Sequence, residues 1–287
     1  MSTARASDRL FALLQRCLPT RLLSLCMYRL TRVRWKPFKN LFIRVFMRGF
    51  GIRLDEAIET EPDAFVDFNA FFTRALQPSA RPLAPAPALL SPVDGTLSQF
   101  GPLQAGRLMQ AKGHDYDAAS LLADAADAAR FTGGDFATIY LAPYNYHRIH
   151  MPLSGRLSGW RYIPGRLFSV NASTARAMPR LFARNERLVA FFDSDQGAFA
   201  MVLVGALFVG GIETVWTGAV TPPHHRGPPG DLQRPTTPLA LQRGDEMGRF
   251  NMGSTVILLT TPGLVQWSHT LQGAQTLRMG ESLGQAR

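Results

Sequence analysis

The sequence predicts an α+β protein in which basic N-terminal helices precede a mainly β body. Three observations carry this expectation. Apolar residues recur at helical spacing among arginines up to about Leu76, the Pro/Ala-rich stretch from Pro78 to Pro87 ends that pattern, and short apolar runs separated by Gly and Pro follow. The boundary divides the chain into a helical region, residues 1–76, and a β-rich body, residues 77–287. With 46% of its 287 residues hydrophobic, the chain can bury a substantial core.

In the helical region Leu10, Leu14, Cys17 and Leu18 share one helix face, and Pro19 and Pro37 are expected breaks. Residues 1–53 hold twelve Lys and Arg against Asp8 alone, a net charge of +11; the whole chain carries +10, so the remainder sums to −1. A nucleic-acid binder should carry its charge over the body, so no nucleic-acid partner is expected. Apolar and basic residues interleaved on short helices suit an anionic membrane surface, where each Lys or Arg contributes about 1 kcal/mol. Packing on the body with a solvated basic face is the alternative. Charges interrupt each apolar run before the length a crossing helix needs, and Arg16 and Arg21 interrupt any signal-peptide core. Cys17 and Cys26 are the only cysteines, which argues against a disulfide framework or a zinc site, and no metal is expected.

In the body, strands are expected at Leu97–Phe100, Phe136–Leu141, Ala198–Val204, Ile212–Trp216 and Val256–Thr261, with helices over Asp117–Arg130 and Thr174–Arg184. The glycine-bearing run from Ala198 to Ile212 reads as two buried strands joined by a turn, not as a membrane helix.

The candidate chemistry begins at Phe250-Asn-Met-Gly253-Ser254-Thr255, directly ahead of the apolar run Val256–Leu259. Glycine tolerates backbone strain that brings a following serine hydroxyl within reach of the preceding carbonyl, although Gly-Ser-Thr before a strand is by itself usually a turn. Such an attack needs a base and a group that orients it. His147 and His150 follow a predicted strand, and Asp94 sits in the turn Ser91-Pro-Val-Asp94-Gly. Each also has a plain structural reading, as a hydrogen-bonded histidine or a turn aspartate. His224, His225 and Arg226, in a Pro/Gly-rich loop, either contact a phosphate or are solvated; Lys112 and His114 read as surface positions.

From about Phe71 to Leu259 the chain resembles the bacterial phosphatidylserine decarboxylase family. The resemblance rests on Phe71-Phe-Thr-Arg74, Ser91-Pro-Val-Asp94-Gly, Tyr146-His-Arg-Ile-His150-Met-Pro152, Gly165-Arg-Leu-Phe-Ser-Val-Asn171, Leu181-Phe-Ala-Arg-Asn-Glu-Arg187, Ile212-Glu-Thr-Val-Trp216 and Phe250-Asn-Met-Gly-Ser-Thr255. It implies that Asp94, His150 and Ser254 form a self-cleavage triad and that His147 serves substrate handling and decarboxylation. Cleavage between Gly253 and Ser254 would leave a β chain of residues 1–253 and an α chain of residues 254–287, which stay associated, with higher assembly left open. The cofactor implied is a covalent pyruvoyl group derived from Ser254, without pyridoxal phosphate or metal. Its ketone condenses with the amine of phosphatidylserine and takes up the electrons left when carbon dioxide departs, so that phosphatidylethanolamine forms. The implied location is the cytoplasmic face of the bacterial cell membrane, as a peripheral protein beside its anionic lipid substrate.

Two positions depart from the family pattern. Met252 stands where the family commonly has Leu, a change that conserves volume. Asn145 stands where it usually has Asp, keeping hydrogen-bonding capacity but no charge. A pyruvoyl decarboxylase of a soluble amino acid, or a non-catalytic basic membrane-surface module with the Gly253–Ser254 bond intact, are the competing expectations.

Overall fold

Each N-terminal helix stops where its sequence dictates. In the computed structural model, which describes residues 4–111, 114–208, 211–222, 224–252 and 254–287, α1 (Ala6–Cys17) and α2 (Thr20–Leu30) meet at Pro19 with a bend of 81°. The left-handed Gly51 (φ 64°) closes α3 (Lys36–Phe50). Pro37 is no break. It lies in the first turn of α3, where its missing N–H costs nothing. No single described helix is long and apolar enough to cross a membrane.

The amphipathicity of α1 is inverted relative to a helix packed on a core. Its buried residues are Asp8, Ala12 and Gln15, whereas Leu10, Leu14 and Leu18 are 59%, 56% and 43% exposed. The inward face is held by polar bonds to the body: Asp8 accepts from Arg176 at 2.9 and 3.1 Å, and Gln15 bonds Thr174 and the Ser169 N–H. Helix α3 is more conventional. Its Phe42, Ile43 and Phe46 pack with Phe65, Phe68, Phe71 and Phe72 around the short α4 (Phe68–Phe72), which Asp67 caps.

The body is built on an antiparallel eight-stranded sheet, with strands numbered in chain order. Its spatial order is β12 (Ala240–Leu241), β7 (Gly155–Ile163), β8 (Arg187–Ser194), β9 (Gly197–Val204), β14 (Ser254–Thr260), β5 (Asp135–Leu141), β2 (Gly95–Pro102) and β16 (Thr276–Leu277). One face is covered by two smaller sheets. These are β11 (Gly218–Ala219), β10 (Ile212–Thr214), β13 (Glu246–Phe250), β6 (Arg148–His150), and β1 (Ala88–Leu90), β17 (Ser282–Ala286), β15 (Val265–Trp267). The other face is covered by the hairpin β3 (Arg107–Ala111) and β4 (His114–Asp117) and by four short helices, α5 (Ala118–Leu122), α6 (Ala125–Ala129), α7 (Ala172–Ala177) and α8 (Leu181–Arg184). Val256 and Leu258 of β14 point into the first core and Ile257 and Leu259 into the second, so β14 is buried on both faces.

The two long helices expected in the body are each broken. Ala123 (φ 55°) and the capping Asp124 separate α5 from α6, and Pro179 with left-handed Arg180 separates α7 from α8. The expected strand over Ile212–Trp216 ends at Thr214. Lys112 lies outside the described residues. His114 is half-buried, its Nε2 3.1 Å from the Arg176 carbonyl, so it is more engaged than a surface position.

Arg187 shows how sheet and helices are joined. Its buried guanidinium donates to the carbonyls of Ser120, Leu121, Ala183 and Asn185 at 2.6–2.8 Å, with no carboxylate partner, and burial pushes its pKa down to about 10. Arg187→Ala leaves buried carbonyls unsatisfied at about 1–3 kcal/mol each. We expect a loss of at least about 2 kcal/mol in urea unfolding from these bonds; an unchanged midpoint would show that the helices need no such staple.

Candidate active site

The centre of the site is set by strand register. Ser254, first residue of β14, pairs with Leu141, last residue of β5, and the next pair across, Thr255 with Val204, puts Gly205 beside Ser254 on the opposite side. Gly95 backs onto the Tyr140 carbonyl, against which a β-carbon would fall at 2.5 Å. Asp94 therefore sits at the same end of the sheet as Ser254, in the turn that enters β2, the strand beyond β5. His147 and His150 arrive there because β5 leads through a turn into β6, whose partner β13 runs on toward Ser254; the Phe250 N–H donates to the His147 carbonyl at 2.9 Å.

Ser254 is fully buried, and its hydroxyl has no hydrogen-bond partner among the described residues. Buried hydroxyls are almost always paired, so an orphan one calls for a reason. The chain leading to it is strained: Met252 has φ 102°, a conformation that side-chain-bearing residues rarely adopt. Gly253 lies outside the described residues. Asn251 is fixed, its N–H on the Gly211 carbonyl at 2.8 Å and its Oδ1 accepting from Asn69 at 3.0 Å, and Met252 packs against the phenylalanine cluster of the helical region.

His147 is equally buried and its ring packs tilted against Phe72, with ring centroids 4.1 Å apart. Its Nδ1–H donates to the Asn145 carbonyl at 2.8 Å, which leaves a lone pair on Nε2, and that atom too has no partner. Burial pushes its pKa down to about 3, Arg74 adding to the effect and the Asn145 carbonyl opposing it. The Asn145 side chain accepts the Ala142 N–H at 2.7 Å, so this residue shapes the turn that aims His147 without carrying a charge.

His150 has both ring nitrogens occupied, Nδ1–H donating to the Gly244 carbonyl at 2.8 Å and Nε2 accepting from the Tyr146 hydroxyl at 3.1 Å. Burial again lowers its pKa. Asp94 is not its partner. The Asp94 carboxylate accepts from the Arg81 guanidinium at 2.6–3.3 Å and from the Met279 N–H at 2.8 Å, while the His150 N–H bonds the Pro92 carbonyl in the same turn. Asp94 and His150 are thus neighbours by backbone, but among the described residues no hydrogen-bonded chain links Asp94, His150 and Ser254. A cleft of about 390 Å³, lined among others by Arg74, Arg81, Asp94, Tyr144 and Tyr146, opens beside them.

Sequence reasoning missed Arg81, which lies in the stretch read as a bare connector, and Tyr146, which the histidine spacing overshadowed. Arg81 also bonds Glu56 at 2.9 Å, and Glu56 pairs with Arg278, so one charge network joins the helical region, the Asp94 turn and the C-terminal segment. Among the described residues no cluster of His, Cys, Asp and Glu has the arrangement of a metal site.

Comparison with known proteins places this architecture. The family model described as "Phosphatidylserine decarboxylase" matches residues 68–285, and a second model, described as "PSD", matches residues 10–51. The chain is 52% identical over 283 residues to the phosphatidylserine decarboxylase proenzyme of Nitrosococcus oceani, covering 98% of this chain and 92% of that protein. It is 50% identical to the proenzyme of Azotobacter vinelandii (97% and 99% covered) and 51% identical to that of Stutzerimonas stutzeri (97% and 95%). The chain belongs to the phosphatidylserine decarboxylase family.

The state of His147 has a measurable consequence. Its native pKa lies below the ordinary 6.5, so the unfolded chain binds a proton that the native state refuses between about pH 6.5 and 3. Stability therefore falls as pH drops through that window, by up to about 1.4 kcal/mol per pH unit from this group. His147→Gln should flatten the fall in urea midpoint between pH 6.5 and 4. An identical slope in the variant would mean that His147 titrates normally.

Proposed function

We propose that this member of the phosphatidylserine decarboxylase family cuts itself between Gly253 and Ser254, carries the resulting pyruvoyl group at residue 254, and decarboxylates phosphatidylserine to phosphatidylethanolamine and carbon dioxide. The single observation that carries the reading is the buried Ser254 hydroxyl, without a partner among the described residues, two residues after a strained Met252. In the cleavage, Ser254 Oγ loses its proton and attacks the preceding carbonyl carbon, and the peptide C–N bond breaks to leave an ester. Loss of the residue-254 α-proton then expels the residue-253 carboxylate. The dehydroalanine that remains takes up water and releases ammonia, leaving the ketone.

His150 is assigned as the base that takes the serine proton, positioned by the turn that carries Asp94. For this role its Nε2 must exchange Tyr146 for Ser254. A second assignment, favoured by the unpartnered Nε2 of His147, gives that residue the serine proton; processing of His150→Ala and His147→Ala proteins separates the two. In the decarboxylation step His147, neutral at physiological pH, holds and returns the proton at the substrate α-carbon, directly or through water. The buried position 254 and the buried His147 imidazole, whose Nε2 has no partner among the described residues, suit a group that must be kept from bulk water, and the pyruvoyl group would supply the electron sink for carboxylate loss.

Association of the two chains after cleavage is supported by β14, which remains paired with both β5 and β9. Attachment to an anionic membrane surface, proposed on the cytoplasmic side, draws its support from the outward-facing Leu10, Leu14, Leu18 and Leu22 beside the arginines of the N-terminal region, which bear on attachment and not on the side.

The function is tested with phosphatidylserine vesicles against free serine: the protein should release carbon dioxide from the lipid, and Ser254→Ala should not. Turnover of free serine alone, or by Ser254→Ala, overturns the reading. Met252→Gly, which removes strain of about 1–3 kcal/mol, should slow processing by roughly tenfold; unaltered processing would mean that the strain drives nothing. Binding to anionic vesicles should weaken as salt rises, and Leu14→Asp with Leu18→Asp should release the protein while processing continues. Retention of that variant on vesicles would remove α1 from the attachment.

A further inference from the structure

A second buried polar group flanks Ser254 on the side away from Asp94. Glu186, the residue before β8, buries its carboxylate to 1% exposure and accepts from the Tyr162 hydroxyl at 2.9 Å. The same carboxylate lies 2.9 and 3.1 Å from His224 Nδ1, so Nδ1–H donates to it, and in the neutral ring Nε2 then holds the lone pair. That Nε2 is buried and has no hydrogen-bond partner among the described residues. A histidine oriented by a carboxylate, with its other nitrogen free, has the form of a general base.

The sheet register puts Glu186 in the same row as the reactive position, two strands away on the same face. Thr255, Val204 and Arg187 lie side by side across β14, β9 and β8, and one step further along come Ser254, Gly205 and Glu186, all on one face of the sheet. The Gly205 N–H donates to the Glu186 carbonyl at 2.8 Å. A β-carbon on Gly205 would stand 3.9 Å from Glu186 Oε1 and 3.4 Å from Leu167. Glycine there leaves no side chain between Glu186 and Ser254, whose strands are roughly 10 Å apart. The loop bearing His224 departs from Thr221, whose carbonyl packs so closely on Gly211 that a β-carbon would meet it at 2.2 Å, and the Gly211 carbonyl holds Asn251. His224 is therefore carried on a segment strung between the cleavage loop and Glu186.

We infer that His224 is the proton acceptor for the substrate amine, with Glu186 and Tyr162 as its positioning residues; this rests on the reaction proposed above. A primary ammonium cannot attack a carbonyl until it loses a proton. The N–H bond of the ammonium breaks, its proton passes to the His224 Nε2 lone pair, and the nitrogen lone pair is freed to attack the carbonyl carbon at residue 254. Glu186 balances the imidazolium that forms. The ligand class is a primary ammonium carried on a phosphodiester headgroup.

The test compares two amines on purified, processed protein, read by intact mass. Methoxyamine is neutral at pH 7 and needs no base, whereas short-chain dihexanoyl-phosphatidylserine arrives as an ammonium and can be trapped on the protein by cyanoborohydride. His224→Ala and His224→Gln should process normally, capture methoxyamine at the wild-type rate and trap the lipid about a hundredfold more slowly. Glu186→Gln should move the lipid rate in the same direction. Equal slowing with both amines, or no slowing with either, overturns the assignment. Wild-type protein that captures neither amine overturns the proposed reaction, and the inference with it.

Discussion

Everything at the site depends on the double pairing of β14. A strand bonded to neighbours on both sides and packed on both faces is among the hardest segments to displace, and its first residue is Ser254. The pairing fixes the serine, and strain in the approach to it is found at Met252. It also lets a backbone cut at this point leave the fold standing: the cut ends lie at the edge of a strand that stays in the sheet, and β15, β16 and β17 tie the rest of the C-terminal segment to β1 and β2.

The helical region closes the same end of the sheet. Phe72 packs against His147, Asn69 bonds Asn251, Met252 sits among the phenylalanines around α4, and Arg148 reaches the Thr73 carbonyl at 2.9 Å. The dry surroundings that hold His147 neutral are thus made by the segment that also carries the outward-facing leucines. A change in how α3 and α4 sit would alter the polarity around the histidine and the packing of Met252 together.

Much of this was legible in the sequence. The α+β division, the basic apolar helices and most strands follow from periodicity, and the residues singled out at 94, 147, 150 and 254 do gather at one sheet end. What periodicity could not supply was partner choice. Nothing in Pro78–Pro87 marks Arg81 as the residue that would occupy Asp94, and two histidines three apart do not reveal that His150 faces Gly244 and Tyr146 while Nε2 of His147 stays free. The apolar face of α1 was read correctly as a helix face, but only the fold shows that it points outward, because Asp8 and Gln15 take the inward positions through long-range polar bonds. Short helices broken at Asp124 and Pro179 look continuous when only apolar spacing is followed.

The intact mass of freshly purified protein tests the central claim most directly. The account predicts two species, residues 1–253 with a free carboxylate and residues 254–287 blocked by a ketone in place of an amino terminus. A single uncut chain of 287 residues in folded protein would contradict it.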